Sequence, residues 1–300
     1  MPAKKNPSPA KTTSNGTTNG ARSVGVIGLG IVGSRVAECV RRAGFNVCAW
    51  NRTARKIAGS AASPAEVAHR ARIVQIFVTD GNALLDVIAA MMPRLTPEHI
   101  VINCSTVSLD ATLAAANEIA EVDASFLDCP FTGSRGAAEA GQLVYYVGGS
   151  KSVLKRAEKV LAASAKTILP VGEIGDATIL KIATNMISAS TLEILAEAMG
   201  LVAAHGIDLR RFAEALDHNA CASGLTRMKV PTILNRDFTP HFSLKNMLKD
   251  ARIAKQLAEA KGLELPALSV AAQRMAALNG KGHGDDDYSI LAVNYVASEP

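Results

Sequence analysis

The sequence predicts an α/β protein, in which a Rossmann-type, doubly wound parallel sheet precedes an all-α C-terminal domain joined to it by a long interdomain helix. Three observations predict this architecture. From Val24 onward, short apolar runs alternate with segments of helical spacing, as in a parallel sheet covered on both faces. A glycine-rich turn follows the first of these runs, and strand signals stop after Gly175. The 300 residues are enough for two domains that each bury a core.

The elements follow from the spacing of apolar residues and from the turn residues between them. Strands are predicted at 24–27, 47–50, 73–78, 100–103, 125–128, 143–148 and 166–169, with helices at 31–43, 82–91, 110–121 and 151–163. A helical pattern of 29 residues then covers 176–204. Further helices are predicted at 208–219, 226–235, 244–261, 266–278 and 287–296. The domains predicted are thus 23–175, with the sheet, and 176–300, with only helices.

Residues 1–22 form a polar segment that we expect to be a disordered basic tail. The segment holds four of the 32 basic residues and no acidic one, which leaves 28 basic against 27 acidic residues in the remainder. This balance argues against a nucleic-acid-binding surface. Five widely spaced cysteines and the absence of an apolar signal core predict a cytoplasmic protein. The longest stretch without charge has 12 residues, whereas a membrane span needs roughly 20, so no transmembrane helix is expected.

The glycine-rich turn predicts a dinucleotide site because it follows a strand and opens a helix. Gly28 allows the tight turn, Gly30 lets the backbone approach a pyrophosphate, and Gly33 lets the helix pack closely on the sheet. The helix N-terminus then faces the phosphates. The predicted cofactor-binding residues of this turn are Gly28, Leu29, Gly30, Ile31, Val32 and Gly33.

The end of the second strand favours NADP(H) over NAD(H). An NAD site usually has a carboxylate there to bond the ribose 2′-hydroxyl, and this chain has none. Arg52 is suited to pair a 2′-phosphate, with Asn51, Thr53 and Lys56 beside it. The alternative is that these residues only begin a solvated helix.

One polar stripe on the long helix offers a candidate proton donor. Thr178, Lys181, Asn185 and Ser188 are spaced by three, four and three residues, so they share a face of an otherwise apolar helix. A buried lysine must have partners or lose its proton, which suits it to donate a proton near neutral pH. Spacing alone leaves open a lysine that merely extends to solvent from an interdomain helix. The six histidines lie in mostly polar stretches, and we expect them at the surface.

From about Val24 to Tyr295 the chain resembles the β-hydroxyacid dehydrogenases. The resemblance rests on VGVIGLGIVG at 24–33, DCPFTGS at 128–134, GEIG at 172–175 followed by Lys181 and Asn185, and Lys249 with Asp250. The stretches 132–143, 242–245 and 284–289 look most like the glyoxylate/succinic semialdehyde reductase branch. The usual Ser-Gly-Gly is here Thr132, Gly133 and Ser134, and the added methyl group of Thr132 is expected to narrow the pocket.

The resemblance implies a role for each matching residue. Lys181 would be the catalytic acid/base, with Asn185 orienting it. The substrate carboxylate would be bound by the 132–134 loop, and Thr106 would lie near the nicotinamide or the substrate. Val78 and Thr79 would lie along the cofactor, which Lys249 would reach, while Phe242 and Asp250 would close the pocket from the helical domain.

These observations predict an NADPH-dependent reductase of small aldehyde acids such as glyoxylate and succinic semialdehyde. No metal and no membrane are expected, and the long apolar helices suggest a homodimer or homotetramer. The alternatives are a dehydrogenase of 3-hydroxyisobutyrate or tartronate semialdehyde type, an imine reductase, and a non-catalytic NADP-binding protein.

Overall fold

A computed structural model describes residues 23–54 and 58–296. The first part of the chain alternates strands and helices: β1 (Ser23–Ile27), α1 (Gly33–Arg42), β2 (Asn46–Trp50), α2 (Pro64–Arg70), β3 (Ile73–Ile76), α3 (Gly81–Met91), β4 (Ile100–Asn103), α4 (Leu109–Ala120), β5 (Ser125–Asp128), β6 (Phe131–Thr132), α5 (Arg135–Glu139), β7 (Leu143–Gly148), α6 (Lys151–Ala162) and β8 (Ala165–Gly172). We call residues 23–172 the sheet region.

The second part is helical, as predicted, and we call residues 176–296 the helical region. Its α-helices are α7 (Asp176–Ala204), α8 (Leu209–Asp217), α9 (Gly224–Leu234), α10 (Leu244–Glu259) and α11 (Pro266–Gly280). The helix predicted at 287–296 is instead a 3₁₀ helix, Tyr288–Asn294. Two short helices, α2 and α5, and the two-residue strand β6 were not predicted, because each is too short to show a clear period.

The sheet has the strand order β2-β1-β3-β4-β5-β7-β6, with β8 paired to β7. The first five strands of this order are parallel, as predicted. The sheet is thus mainly parallel, but β7 departs from this direction: it runs antiparallel to β5 and β6 and parallel to β8. A parallel return requires a crossover element, and the five-residue helix α5 does not supply one.

Apolar residues from both faces of the sheet are buried. Along β4, Ile100 and Ile102 join one cluster, while Val101 between them joins the cluster on the opposite face. Alternate residues of a strand point to opposite faces, so helices must cover both sides of this sheet. A third cluster lies in the helical region and includes Leu192 and Met199 of α7.

Helix α7 is the 29-residue helix that the sequence predicts. By length and composition it could cross a membrane, since its 18-residue window has a mean hydropathy of 1.4. Its charge-free stretches are short because Lys181 and Glu193 interrupt the apolar sequence. In this fold α7 packs against α10 and α11, and Glu193 accepts a hydrogen bond from the Tyr295 hydroxyl at 3.0 Å.

One of the six histidines does not lie at the surface as expected. His99 is fully buried just before β4, where Nδ1 accepts a hydrogen bond from the Thr96 amide and Nε2 lies 2.9 Å from the Ala68 carbonyl oxygen. Backbone groups therefore satisfy both ring nitrogens, which gives His99 a structural place in the sheet region.

Candidate active site

The carboxyl ends of β1 to β5 meet at one edge of the sheet. The last residues of these strands are register partners: Ile27 pairs with Trp50 on one side and with Ile76 on the other. Ile76 pairs with Asn103, which in turn pairs with Asp128. The loops that follow these strands therefore lie side by side. In open α/β sheets this edge is where ligands bind, and most of the predicted site residues are in these loops.

The glycine turn has the geometry that a dinucleotide requires. Gly28 has a φ of +89°, and a Cβ there would lie 1.9 Å from the Phe77 carbonyl oxygen. A Cβ on Gly33 would lie 2.0 Å from the carbonyl oxygen of Gly28, whereas nothing lies within 4 Å of one on Gly30. Helix α1 starts just after with no side-chain cap. The Ser34 and Arg35 amides already donate to the Gly30 and Val32 carbonyls, so among the described residues the N–H group left for an anion at this helix start is that of Gly33.

The remaining residues of the turn differ in exposure. Leu29 is buried, Val32 is half-buried and Ile31 is exposed. The Leu29 amide donates a hydrogen bond to Asn51 Oδ1 at 2.8 Å, and Asn51 in turn donates to the Thr53 carbonyl at 2.7 Å. Asn51 therefore joins the glycine turn to the end of β2.

Arg52 and Thr53 are exposed at that end of β2, while Lys56 lies outside the described residues. A hydrogen bond from the Ala83 amide, with further contributions from Lys249 and Arg52, holds the pKa of Asp80 below its ordinary value. The two cations therefore lie near one carboxylate, although they belong to the sheet and helical regions.

The loops after β3 and β4 are joined by Ser105. Its hydroxyl accepts a hydrogen bond from the Val78 amide at 2.8 Å, and Thr79 next to it donates to Asp80 Oδ2. The Thr106 carbonyl accepts a hydrogen bond from Lys249 Nζ. This last contact brings the helical region onto the carboxyl edge of the sheet.

The 132–134 loop follows β5 at the same edge. Thr132 ends β6 and is half-buried, Gly133 is exposed with a φ of +134°, and Ser134 is the N-cap of α5. That φ disfavours any side chain at Gly133, and a Cβ there would also lie 2.8 Å from Leu143 Cδ2. The structure gives this loop an exposed backbone and two hydroxyl groups.

Lys181 lies in the second turn of α7 and is only 9% exposed. Asn185, one turn further, donates a hydrogen bond to Asp250 Oδ2 at 2.6 Å, and Asp250 Oδ1 lies 2.8 Å from Lys249 Nζ. Lys181, Asn185, Lys249 and Asp250 thus form one polar cluster between α7 and α10. The structure pairs the Asn185 amide nitrogen with Asp250, and orientation of Lys181 by Asn185 stays a prediction.

Burial lowers the pKa of Lys181 from 10.5 to about 8, with Asp250 opposing the decrease and Lys249 adding to it. Among the described residues, no ion pair engages the Lys181 ammonium. The side chain is therefore able to give up or take up a proton near neutral pH, which is what acid/base chemistry requires.

Phe242 precedes α10 and packs edge-on against Tyr288, with ring centroids 6.2 Å apart. Its amide donates to Asp287 Oδ2, and its carbonyl accepts from the Tyr288 amide. These contacts keep the backbone of Phe242 within the helical region, and its approach to a substrate stays a prediction.

Sequence reasoning missed three polar residues at this edge. Asp80 caps α3 by accepting from the Ala83 amide, Ser105 joins two loops, and Asp128 bonds the start of α7. Asp80 was detectable, because an Asp before a helical run is a common N-cap signal. The partners of Ser105 and Asp128 are distant in sequence, so no local signal reveals them.

Comparisons with known proteins agree with this geometry. A family profile described as the NAD-binding domain of 6-phosphogluconate dehydrogenase matches residues 23–172. A second profile, described as the NAD-binding domain of NADP-dependent 3-hydroxyisobutyrate dehydrogenase, matches residues 175–295.

Individual relatives are more distant. The chain is 28% identical to glyoxylate/succinic semialdehyde reductase 2, chloroplastic, from Arabidopsis thaliana, over 91% of this chain and 79% of that protein. It is also 28% identical to the cytokine-like nuclear factor N-PAC of Mus musculus, over 92% of this chain and 51% of that one. The solved 3-hydroxyisobutyrate dehydrogenase of Mycobacterium tuberculosis has the same fold, with a TM-score of 0.84 at 24% identity, over 92% and 99% of the two chains.

Fold and profiles together define an NAD(P)-dependent dehydrogenase or reductase. The chain belongs to the β-hydroxyacid dehydrogenase family.

Proposed function

We propose that the protein is an NADPH-dependent reductase of small aldehyde acids, with glyoxylate and succinic semialdehyde as the first candidates. The observation that carries this proposal is the environment of Lys181, a buried amine whose pKa is lowered to about 8 beside the cofactor edge. The similarity to glyoxylate/succinic semialdehyde reductase 2 supports the substrate class.

The residues present fit a dinucleotide. The space above Gly30 is open, and the start of α1 leaves the Gly33 amide for a pyrophosphate. In this proposal Arg52 binds the 2′-phosphate and Lys249 binds the remainder of the nucleotide, with Val78, Thr79 and Thr106 along its path. When bound, a reduced nicotinamide supplies the hydride to the substrate carbonyl carbon.

The chain itself supplies binding, orientation and a proton. Hydroxyl and backbone N–H groups of the 132–134 loop bind the substrate carboxylate, which orients the aldehyde. Lys181 Nζ donates a proton to the carbonyl oxygen as negative charge develops there. Asn185 is held by Asp250, so its amide oxygen is left to orient the ammonium or the substrate.

A screen of NADPH and NADH oxidation across small aldehyde acids tests the proposal. We expect turnover with glyoxylate or succinic semialdehyde, and a higher kcat/KM than for tartronate semialdehyde or for oxidation of 3-hydroxyisobutyrate. A preference for 3-hydroxyisobutyrate oxidation would replace the proposed substrate with the alternative within the same family. Absence of turnover with every substrate, together with cofactor binding, would favour a non-catalytic NADP-binding protein.

Arg52 is the residue to change for the choice of cofactor. Arg52→Ala removes the cation proposed for the 2′-phosphate, so kcat/KM should fall at least about tenfold with NADPH and change little with NADH. NADH serves as the internal control, because it has no 2′-phosphate. An equal loss with both cofactors would show that Arg52 does not recognise the phosphate.

We also propose a homodimer or homotetramer in which α7 is part of the interface. Leu180, Ile187, Ile194 and Leu201 recur every seven residues along α7, and each is between 43% and 64% exposed. Residues at this spacing lie on one face of a helix, as in helix pairs. Ile187→Glu should shift the mass measured by light scattering towards the monomer, whereas Leu263→Glu, at an exposed apolar residue outside α7, should not.

The two-domain division at residue 175 and a cytoplasmic location also remain predictions. Limited proteolysis would test the first, and fractionation of cells would test the second.

A further inference from the structure

The end of β5 places a buried carboxylate against the start of α7. Asp128 is fully buried, and its Oδ2 accepts hydrogen bonds from the Gly175 amide at 3.1 Å and the Thr178 amide at 2.8 Å. Its Oδ1 accepts a third from the Thr178 hydroxyl at 2.9 Å. The proposed reaction assigns no task to this carboxylate.

Helix α7 has no cap of its own. Its N-cap residue, Gly175, has a φ of +101° and no side chain to accept from the first turn. The first N–H groups of a helix have no intrahelical partners, and a cap residue normally accepts from one of them. Asp128 does so from a strand 47 residues earlier, and its charge also complements the positive end of the helix dipole.

These hydrogen bonds lie one helical turn before Lys181. Lys181 follows Thr178 by three residues, so the two side chains share one face of α7 and are one turn apart. The Thr178 hydroxyl also lies 3.2 Å from the Thr112 hydroxyl of α4, the helix that follows the loop containing Thr106. Strand β5, α4 and the first turn of α7 are thereby joined at a single buried point.

We propose that Asp128 is a positioning residue, which anchors the first turn of α7 to β5 and so holds the Lys181 amine in its buried place at the edge of the sheet. The inference rests on the proposed function of Lys181 as the proton donor, but its test below does not require turnover.

The expected consequence of losing this anchor follows from burial. Desolvation is the largest cause that lowers the pKa of Lys181 to about 8, and the other charges facing it are Asp250 and Lys249 from α10. At the helix start, the charge beside Asp128 is that of Asp176. A first turn that is no longer anchored admits water, so the pKa of Lys181 should rise towards 10.5.

The experiment titrates Lys181 in the full chain. Acetic anhydride labels neutral amines, and mass spectrometry of the Lys181 peptide across pH gives the midpoint with and without NADPH. Thr178→Val removes the hydroxyl yet keeps both backbone hydrogen bonds to Asp128, and Asp128→Asn removes the charge. Thr178→Ser restores the hydroxyl, and Ser223→Ala removes an ordinary cap in the helical region, that of α9.

We expect the midpoint to rise by at least about half a pH unit in Thr178→Val and Asp128→Asn, which is about a threefold change in the ratio of neutral to charged amine. Thr178→Ser should match the wild type, and Ser223→Ala should lower Tm without moving the midpoint. The kcat for reduction should fall in the two shifted variants, with little change in the Kd for NADPH.

A midpoint that stays near the wild-type value in both variants would overturn the inference, as would an equal shift in Ser223→Ala. The proposed function fails separately: shifted midpoints in a protein that reduces none of the aldehyde acids would retain the role of Asp128 and exclude the proposed reaction.

Discussion

Replacing Lys181 with methionine should make the protein more stable while making it nearly inactive. Methionine has a similar length and no charge, so Lys181→Met removes the amine but keeps most of the packing. Loss of a general acid typically lowers the rate about 10²- to 10⁴-fold. The gain in stability is expected because the wild-type protein buries the charge of Lys181, which has no ion-pair partner among the described residues.

The size of that effect follows from the pKa of Lys181. A decrease of the pKa from 10.5 to about 8 means that the folded state destabilises the charged form of Lys181 by about 3 kcal/mol. Between these two pH values the unfolded chain binds more protons than the folded one, so wild-type stability rises with pH through this window. The stability gained by Lys181→Met should therefore be largest below pH 8, at most about 3 kcal/mol, and should decline towards pH 10.5.

Urea denaturation of the wild type and of Lys181→Met at several pH values gives the difference in their free energies of unfolding. The contributions of the other titrating groups cancel in this difference. Lys229→Met is a matched control, because Lys229 is also buried but has a partner, with Nζ 2.6 Å from Asp287 Oδ1. Removing that cation leaves Asp287 buried and unpaired, which should cost about 3–5 kcal/mol. A loss of stability in Lys181→Met that equals the loss in the control and does not vary with pH would refute the reasoning.

Three further outcomes are expected. Gly28→Ala should prevent stable folding, because its Cβ would lie 1.9 Å from the Phe77 carbonyl oxygen. Gly30→Ala, with nothing within 4 Å of its Cβ, should keep the wild-type Tm and raise the Kd for NADPH. Equal losses of Tm in the two variants would contradict this. Asp250→Asn removes the carboxylate that raises the pKa of Lys181, so the alkaline fall in reductase activity should move below pH 8; a pH–rate profile that moves upward would exclude the assignment. Burial raises the pKa of Asp287, but the Lys229 ammonium and the backbone donors hold the net pKa below 3.8. The contribution of Asp287 to the free energy of unfolding should therefore be complete above about pH 4 and lost in more acidic solution. An acid titration of the unfolding free energy that is identical in Asp287→Asn would argue against this.

Local features of the sequence were enough to predict most of the framework. The strands 100–103, 125–128 and 143–148 and the helix 176–204 have the bounds that were predicted, because apolar spacing reports directly on which face is buried. The glycine turn was predictable from its spacing after a strand, although the carbonyl that excludes a side chain at Gly28 belongs to Phe77, after β3. The antiparallel direction of β7 was not predictable, because the direction in which a strand pairs depends on the connection that precedes it and not on the strand's own residues.

The candidate site divides in the same way. The identity of Lys181 as a candidate came from its spacing on α7 and from the family resemblance, and both are properties of the sequence. Its lowered pKa, the bond between Asn185 and Asp250, and the anchor at Asp128 came only from the tertiary structure. The bonded partners are 65 and 50 residues apart, so no periodic pattern connects them. Apolar periodicity reports on neighbours within a helix or a strand, whereas desolvation and hydrogen bonding depend on whichever distant groups the packed fold brings together.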